Sequence, residues 1–165
     1  MRYASIRKMD IVNGIGISCS LFVQGCSHHC KNCFNVETWN FNGCKEWTKE
    51  IEDKFIQLCQ NPFVDCVSIL GGEPFDQGYN ITLLLKRLRK EVKKPIFVWS
   101  GYTYEQLRYG EFLECIENKL FDYLIDGEYI DELKDYTLHL RGSSNQRIID
   151  IKQTVEQDEV VLFNP

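Results

Sequence analysis

The chain has 165 residues, 44% hydrophobic with ten Phe, enough for one sizeable core, and it is expected to form a single domain over residues 1–165. The net charge of −5 gives nucleic-acid binding no electrostatic support. No apolar run approaches the roughly 18 to 20 residues of a membrane span, and the opening MRYASIRKMD lacks the apolar core of a signal peptide.

A cytoplasmic location is therefore expected, where eight cysteines point to thiols or metal ligands before disulfides. Their distribution is uneven. Cys26, Cys30 and Cys33 crowd one segment, while Cys19, Cys44, Cys59, Cys66 and Cys115 are scattered. The scattered five are expected to fill space as small apolar side chains.

In chain order, a β-like run at 17–23 (ISCSLFV) ends at Gly25 and opens into the crowded cysteines. Thr48 is expected to cap a helix that places Ile51, Phe55, Ile56 and Cys59 on one face, stopped by Asn61 and Pro62. Residues 66–70 (CVSIL) form a buried strand that breaks into Gly-Gly-Glu-Pro. Residues 80–92 form a second helix with Leu84, Leu85 and Leu88 inward, and 96–99 (IFVW) a third strand. A helix is expected from 104 to about 119, then a strand at 123–125. Residues 137–140 (TLHL) and 147–151 (RIIDI) are two further strands, and VVLF near the end is an edge strand.

Alternating strands and helices imply βαβ units and a parallel sheet. The chain is too short for an eight-fold barrel, which needs at least about 200 residues. The expected fold is α/β: an open or partial parallel β/α barrel. Polar and Gly-rich segments follow the strand ends repeatedly, and ligands bind at that edge of such sheets.

Cys26-Ser-His-His-Cys30-Lys-Asn-Cys33 has the form C-x3-C-x2-C. Three thiolates on one short loop can surround a small metal centre. On spacing alone three readings stand. They are structural cysteines, a zinc site completed by His28, His29 or Cys44, or an iron–sulfur cluster. An electron-transfer cluster normally recruits a fourth cysteine. Three cysteines on a four-iron cubane leave one iron open, as a catalytic site requires. His28 and His29 are expected to be exposed loop residues. The second motif is Gly71-Gly72-Glu73-Pro74. Adjacent glycines let a backbone approach a neighbour closely, and Glu73 offers a carboxylate to an ammonium group.

The two motifs, in this order, resemble the radical S-adenosylmethionine superfamily. The resemblance implies a [4Fe–4S] cluster on Cys26, Cys30 and Cys33, with S-adenosylmethionine chelating the open iron. It also implies that the strand end Gly71, Gly72 and Glu73 meets the methionyl amino group. The superfamily has an aromatic residue before its third cysteine; here Asn32 stands there and Phe34 follows. Asn32, Cys33 and Phe34 are expected near the adenine. Ser100, Asp126 and Ser143, at predicted strand ends, are expected near the ribose or carboxylate.

Further segments narrow the resemblance: Asn13-Gly14-Ile15-Gly16, SLFVQGC (20–26), CFN-x-x-TW (33–39), WSGYTYEQL (99–107), LIDGEY (124–129) and LRGSSNQRIID (140–150). Together they are similar to the activating subunits of anaerobic ribonucleoside-triphosphate reductases. That family implies a protein substrate, the large reductase subunit, on which a glycyl radical is made, with reduced flavodoxin or a similar protein as electron donor. Other readings are an activase of a different glycyl-radical enzyme, a small-molecule radical enzyme, or a non-catalytic zinc or iron–sulfur module.

Overall fold

The computed structural model describes residues 1–165. Its frame is one seven-stranded sheet in the order β3-β1-β2-β4-β5-β6-β7. These strands are β1 (Arg2–Asp10), β2 (Ser18–Gln24), β3 (Lys45–Glu46), β4 (Cys66–Gly71), β5 (Ile96–Trp99), β6 (Tyr123–Asp126) and β7 (Arg147–Asp150). The centre, β2-β4-β5-β6, is parallel, as helical crossovers between strands require. Both flanks are antiparallel: β1 on β2 and β3, and β7 on β6. The result is an open, mixed sheet in the partial-barrel class.

Helices α1 (Lys49–Cys59) and α2 (Tyr79–Glu91) cover the outer face. Thr48 caps α1 as expected, its hydroxyl accepting from Ile51 N at 3.3 Å. The helix buries Phe55, Ile56 and Cys59, and α2 buries Leu84, Leu85 and Leu88. These side chains meet Leu21, Val23, Val67, Ile69 and Val98 in a single apolar cluster. Each such large aliphatic side chain contributes about 1.5–3 kcal/mol by leaving water. No helix is long and apolar enough to cross a membrane.

Four elements differ from the sequence reading. The expected helix from 104 to 119 is two short ones, α3 (Tyr104–Arg108) and α4 (Leu113–Glu117). Gly110 lies in the break, where its poor helix propensity does least harm. Residues 137–140 are turn rather than strand. Asp135 Oδ1 accepts from Thr137 N at 2.8 Å, and Leu140 adopts φ 60°. The strand at 147 stops at Asp150, whose side chain accepts from Gln153 N at 2.9 Å and caps α5 (Ile151–Gln157). The tail makes one bridge, Ile149 to Leu162, instead of an edge strand.

The inner face is different in kind. Cys66, Phe97, Ile125 and Ile148 form a small apolar cluster with Trp99, Tyr123, Leu140 and Phe163 against it. Beside them Ser18, Ser20 and Ser68 are fully buried polar groups. A cavity of about 550 Å³ opens on this side, its wall including Phe22, Phe34, Leu70, Trp99, Tyr129 and Arg141.

Candidate functional site: a cysteine loop over the strand ends

β2 delivers the chain to the carboxyl edge of the sheet at Gly25, and the loop 26–33 turns back over the neighbouring strand ends. Gly25 has φ 109°, and its N–H donates to Thr38 O at 2.7 Å. Cys26 N–H donates to Trp39 O at 3.2 Å, so residues 33–39 close the loop from behind. Cys26, Cys30 and Cys33 are each half-buried and none is in a disulfide.

The donor set suits an iron–sulfur cluster. Backbone N–H groups of His28 and His29 face the Cys26 sulfur, and that of Tyr129 faces Cys30. Asn35 N–H lies 3.4 Å from Cys33 Sγ. Such donors stabilise thiolates on a cluster. In the free thiol burial outweighs them: it pushes Cys26 up to about 11, with the Glu73 carboxylate adding to the rise and the His28 and His29 N–H groups opposing it. Cys30 is also raised, by burial first and then by Glu128. No three His, Cys, Asp or Glu side chains are gathered around a point that would hold one ion. A cubane presents iron at four corners, so its thiolates stand wider apart than ligands around a single ion.

Asn32 has a structural reason to replace the superfamily's aromatic. It adopts φ 56°, a left-handed conformation that asparagine tolerates well. Its amide donates to Asp131 Oδ2 at 2.8 Å, tying the loop to the segment after β6. Phe34 is exposed and tilts against Tyr129 at 5.1 Å, both on the cavity wall.

The glycine pair is required by the protein itself. Gly71 has φ 107°, and a Cβ there would stand 2.8 Å from Phe22 Cα. A Cβ on Gly72 would run into the Gly25 carbonyl oxygen. The close approach expected between these glycines and a ligand is, in the structure, an approach to the backbone of β2. Gly72 N–H donates to Val23 O at 3.0 Å and Glu73 N–H to Gly25 O at 2.8 Å, so the motif is stitched to the root of the cysteine loop.

Glu73 is 1% exposed. Its carboxylate accepts from Phe75 N at 3.0 Å, Ser100 Oγ at 2.9 Å and Gly101 N at 2.7 Å. Its remaining neighbour is His28, with Nε2 at 3.2 Å from Oε2, an ion-pair distance off the line of a hydrogen bond. The expectation that His28 is an exposed loop residue is overturned, because its side chain is only 9% exposed. Glu73 first, and Glu128 after it, outweigh burial and hold its pKa up at about 9. Composition cannot reveal this, since the partners lie 45 and 100 residues away.

Ser100 thus joins Glu73, while Asp126 and Ser143 belong to other networks. Asp126 accepts from Tyr104 N at 2.8 Å and from Arg147 Nε at 3.0 Å, and Arg147 also pairs with Glu105 at 2.8 Å. Ser143 is fully buried and accepts from Ile130 N at 3.2 Å. It sits on an isolated bridge to Lys134, ahead of β7, rather than at the end of a strand.

An open α/β sheet with a three-cysteine loop at its carboxyl edge defines a class. A family model described as a 4Fe-4S single cluster domain matches residues 12–149. The match favours a 4Fe–4S cluster over the zinc site that the spacing left open. Three relatives refine the class, each an anaerobic ribonucleoside-triphosphate reductase-activating protein. The one from Salmonella typhimurium is 38% identical, covering 88% of this chain and 96% of its own length. That from Vibrio cholerae is 36% identical, covering 90% and 97%. That from Enterobacteria phage T4 is 32% identical, covering 90% and 93%. The chain belongs to the family of anaerobic ribonucleoside-triphosphate reductase-activating proteins.

Proposed function

We propose that this chain activates an anaerobic ribonucleoside-triphosphate reductase by making a glycyl radical on the large reductase subunit. S-adenosylmethionine is the co-substrate, and reduced flavodoxin or a similar cytoplasmic protein is the electron donor. The observation that carries the reading is the placement of three unpaired thiols, on one loop, at the strand edge beside the inner cavity. Cys26, Cys30 and Cys33 would hold the [4Fe–4S] cluster. Bound there, the cluster would supply the electron that cleaves the sulfonium C–S bond of S-adenosylmethionine, giving methionine and a carbon radical able to take hydrogen from a glycine Cα.

The protein's own residues bind, orient and exclude water. Phe22, Leu70 and Trp99 give the cavity an apolar floor that keeps water from a radical. Phe34 and Tyr129 form an aromatic corner suited to adenine. Gly71 and Gly72 contribute backbone at the strand end, and Asn32 fixes the loop. Ser100 supports the site through Glu73, while Asp126 and Ser143 brace the segments that follow β6 and precede β7. Glycine suits the reaction as a target, because no side chain shields its Cα. The test is anaerobic reconstitution with iron and sulfide, then reduction in the presence of S-adenosylmethionine. Cluster-dependent release of methionine and 5′-deoxyadenosine is expected. Protein that takes up zinc but no iron or sulfide would overturn the reading.

A further inference from the structure

Glu73 is the acid of the glycine turn, and its carboxylate is already engaged inside the protein. A carboxylate offers about four lone-pair positions. Oε1 faces Phe75 N and Ser100 Oγ, and Oε2 faces Gly101 N and His28 Nε2. An ammonium group reaches this carboxylate only by displacing the imidazole.

The imidazole is held on every side. Its Nδ1 lies 2.9 Å from Glu128 Oε1, just beyond the end of β6. Its ring meets Tyr102 edge-on at 4.5 Å, and Tyr102 in turn donates to Asp76 at 2.8 Å. Gly101 leaves it room, since a Cβ there would stand 2.5 Å from the ring. The same Asp76 accepts from Ser27 N at 2.7 Å. The loop's other side-chain ties, Lys31 to Glu132 and Asn32 to Asp131, are exposed and screened by water. His28 is the buried one.

We propose that His28 is a positioning residue: wedged between Glu73 and Glu128 over Gly101, it seats the cysteine loop on the ends of β4, β5 and β6 and fixes the loop relative to the glycine turn. Glu73 then serves to hold His28, and the amino group of the co-substrate is received elsewhere at the strand end. The inference rests on the function proposed above, but its first readout does not.

Three variants test it: His28→Phe, Gly101→Ala, whose methyl occupies the ring's space from outside the loop, and Gly101→Ala in a His28→Ala background. In metal-free protein, trypsin cleavage after Lys31 is expected to accelerate about tenfold in both single variants, as the loop lifts from the strand ends. In reconstituted, reduced protein with normal iron content, the S-adenosylmethionine concentration that half-changes the cluster's paramagnetic resonance signal should rise about tenfold. In the His28→Ala background, Gly101→Ala should add nothing, because the group it displaces is gone. Should His28→Phe fail to fold, Gly101→Ala carries the same test. Wild-type cleavage rates and wild-type co-substrate midpoints in the single variants would overturn the role of His28. Wild-type protein unable to assemble a cluster would instead count against the proposed function, leaving the proteolysis result to stand alone.

Discussion

The outer and inner faces of the sheet are made of different materials. Outside, Leu21, Val23, Ile69 and Val98 pack on Phe55, Leu84, Leu85 and Leu88, with every one of these side chains buried. Inside, Ser18, Ser20 and Ser68 share the face with Phe22, Leu70 and Trp99, and a cavity remains. The strands are the same, because alternate residues point to opposite faces. One face therefore supplies stability, and the other keeps space and polar groups for chemistry. The carboxyl edge between them is held by hydrogen bonds and ion pairs rather than by apolar contact.

Substitutions on the two faces should separate the two properties. The largest functional effect is expected from Cys26→Ala, Cys30→Ala or Cys33→Ala. Each removes one of three ligands, so cluster assembly and co-substrate cleavage should be lost while the far-ultraviolet spectrum and thermal midpoint of the metal-free protein stay near wild type. Leu85→Ala should do the opposite. It costs about 2–5 kcal/mol in denaturant unfolding by leaving a cavity, yet the folded fraction should still bind iron. Equal loss of iron in Leu85→Ala and Cys30→Ala, at matched folded fractions, would erase the distinction.

Gly72→Val probes the seam between the regions. The branched side chain meets the Gly25 carbonyl at the root of the cysteine loop. It should cost about 1–3 kcal/mol of stability and lower iron content together. Normal iron and stability with weakened co-substrate binding would show instead that the glycine faces only the ligand.

Arg147 gives a smaller and pH-dependent effect. Its guanidinium holds Glu105 down at about 2. A depressed carboxylate contributes stability above its unfolded value of 4.5 and loses it as pH falls towards about 2. Glu105→Gln should therefore destabilise at pH 6 by less than about 1 kcal/mol, because both side chains are partly in water, and the gap to wild type should close near pH 2. A gap that widens on acidification would contradict the pairing. The smallest effect is expected at Cys44. It is exposed and follows the loop by eleven residues, so Cys44→Ser should leave iron content unchanged and stability within about 0.5 kcal/mol. Loss of metal in this variant would revive a fourth protein ligand.

Much of the parallel centre was legible because its signals are local. The run CVSIL, the periodic leucines of α2 and the cap at Thr48 each announce their element within a few residues. β1 escaped notice because it lacks apolar alternation: of its nine residues only Tyr3 and Asp10 are buried, and two register shifts interrupt its pairing. α5 was hidden because RIIDI is strongly β-branched up to Asp150, where a side-chain cap turns the chain. TLHL looked like a strand, but Asp135 draws its first residues into a turn. At the site, the cysteines and glycines were visible as motifs. The burial of His28 was not, since it depends on Glu73 and Glu128 arriving from two other strand ends. The internal engagement of Ser100, Asp126 and Ser143 was equally invisible, because their partners are brought in by β-strand order rather than by sequence proximity.

In the proposed function, the cavity side of this small sheet delivers a radical to another protein. That delivery is tested most directly by mixing the reconstituted, reduced chain with S-adenosylmethionine and the large subunit of its cognate reductase, and recording the paramagnetic resonance spectrum. A stable glycyl doublet is expected on the large subunit, collapsing when the Cα of the target glycine is deuterated and missing with Cys30→Ala. Rapid cleavage of S-adenosylmethionine with no doublet on the large subunit would contradict the proposed function.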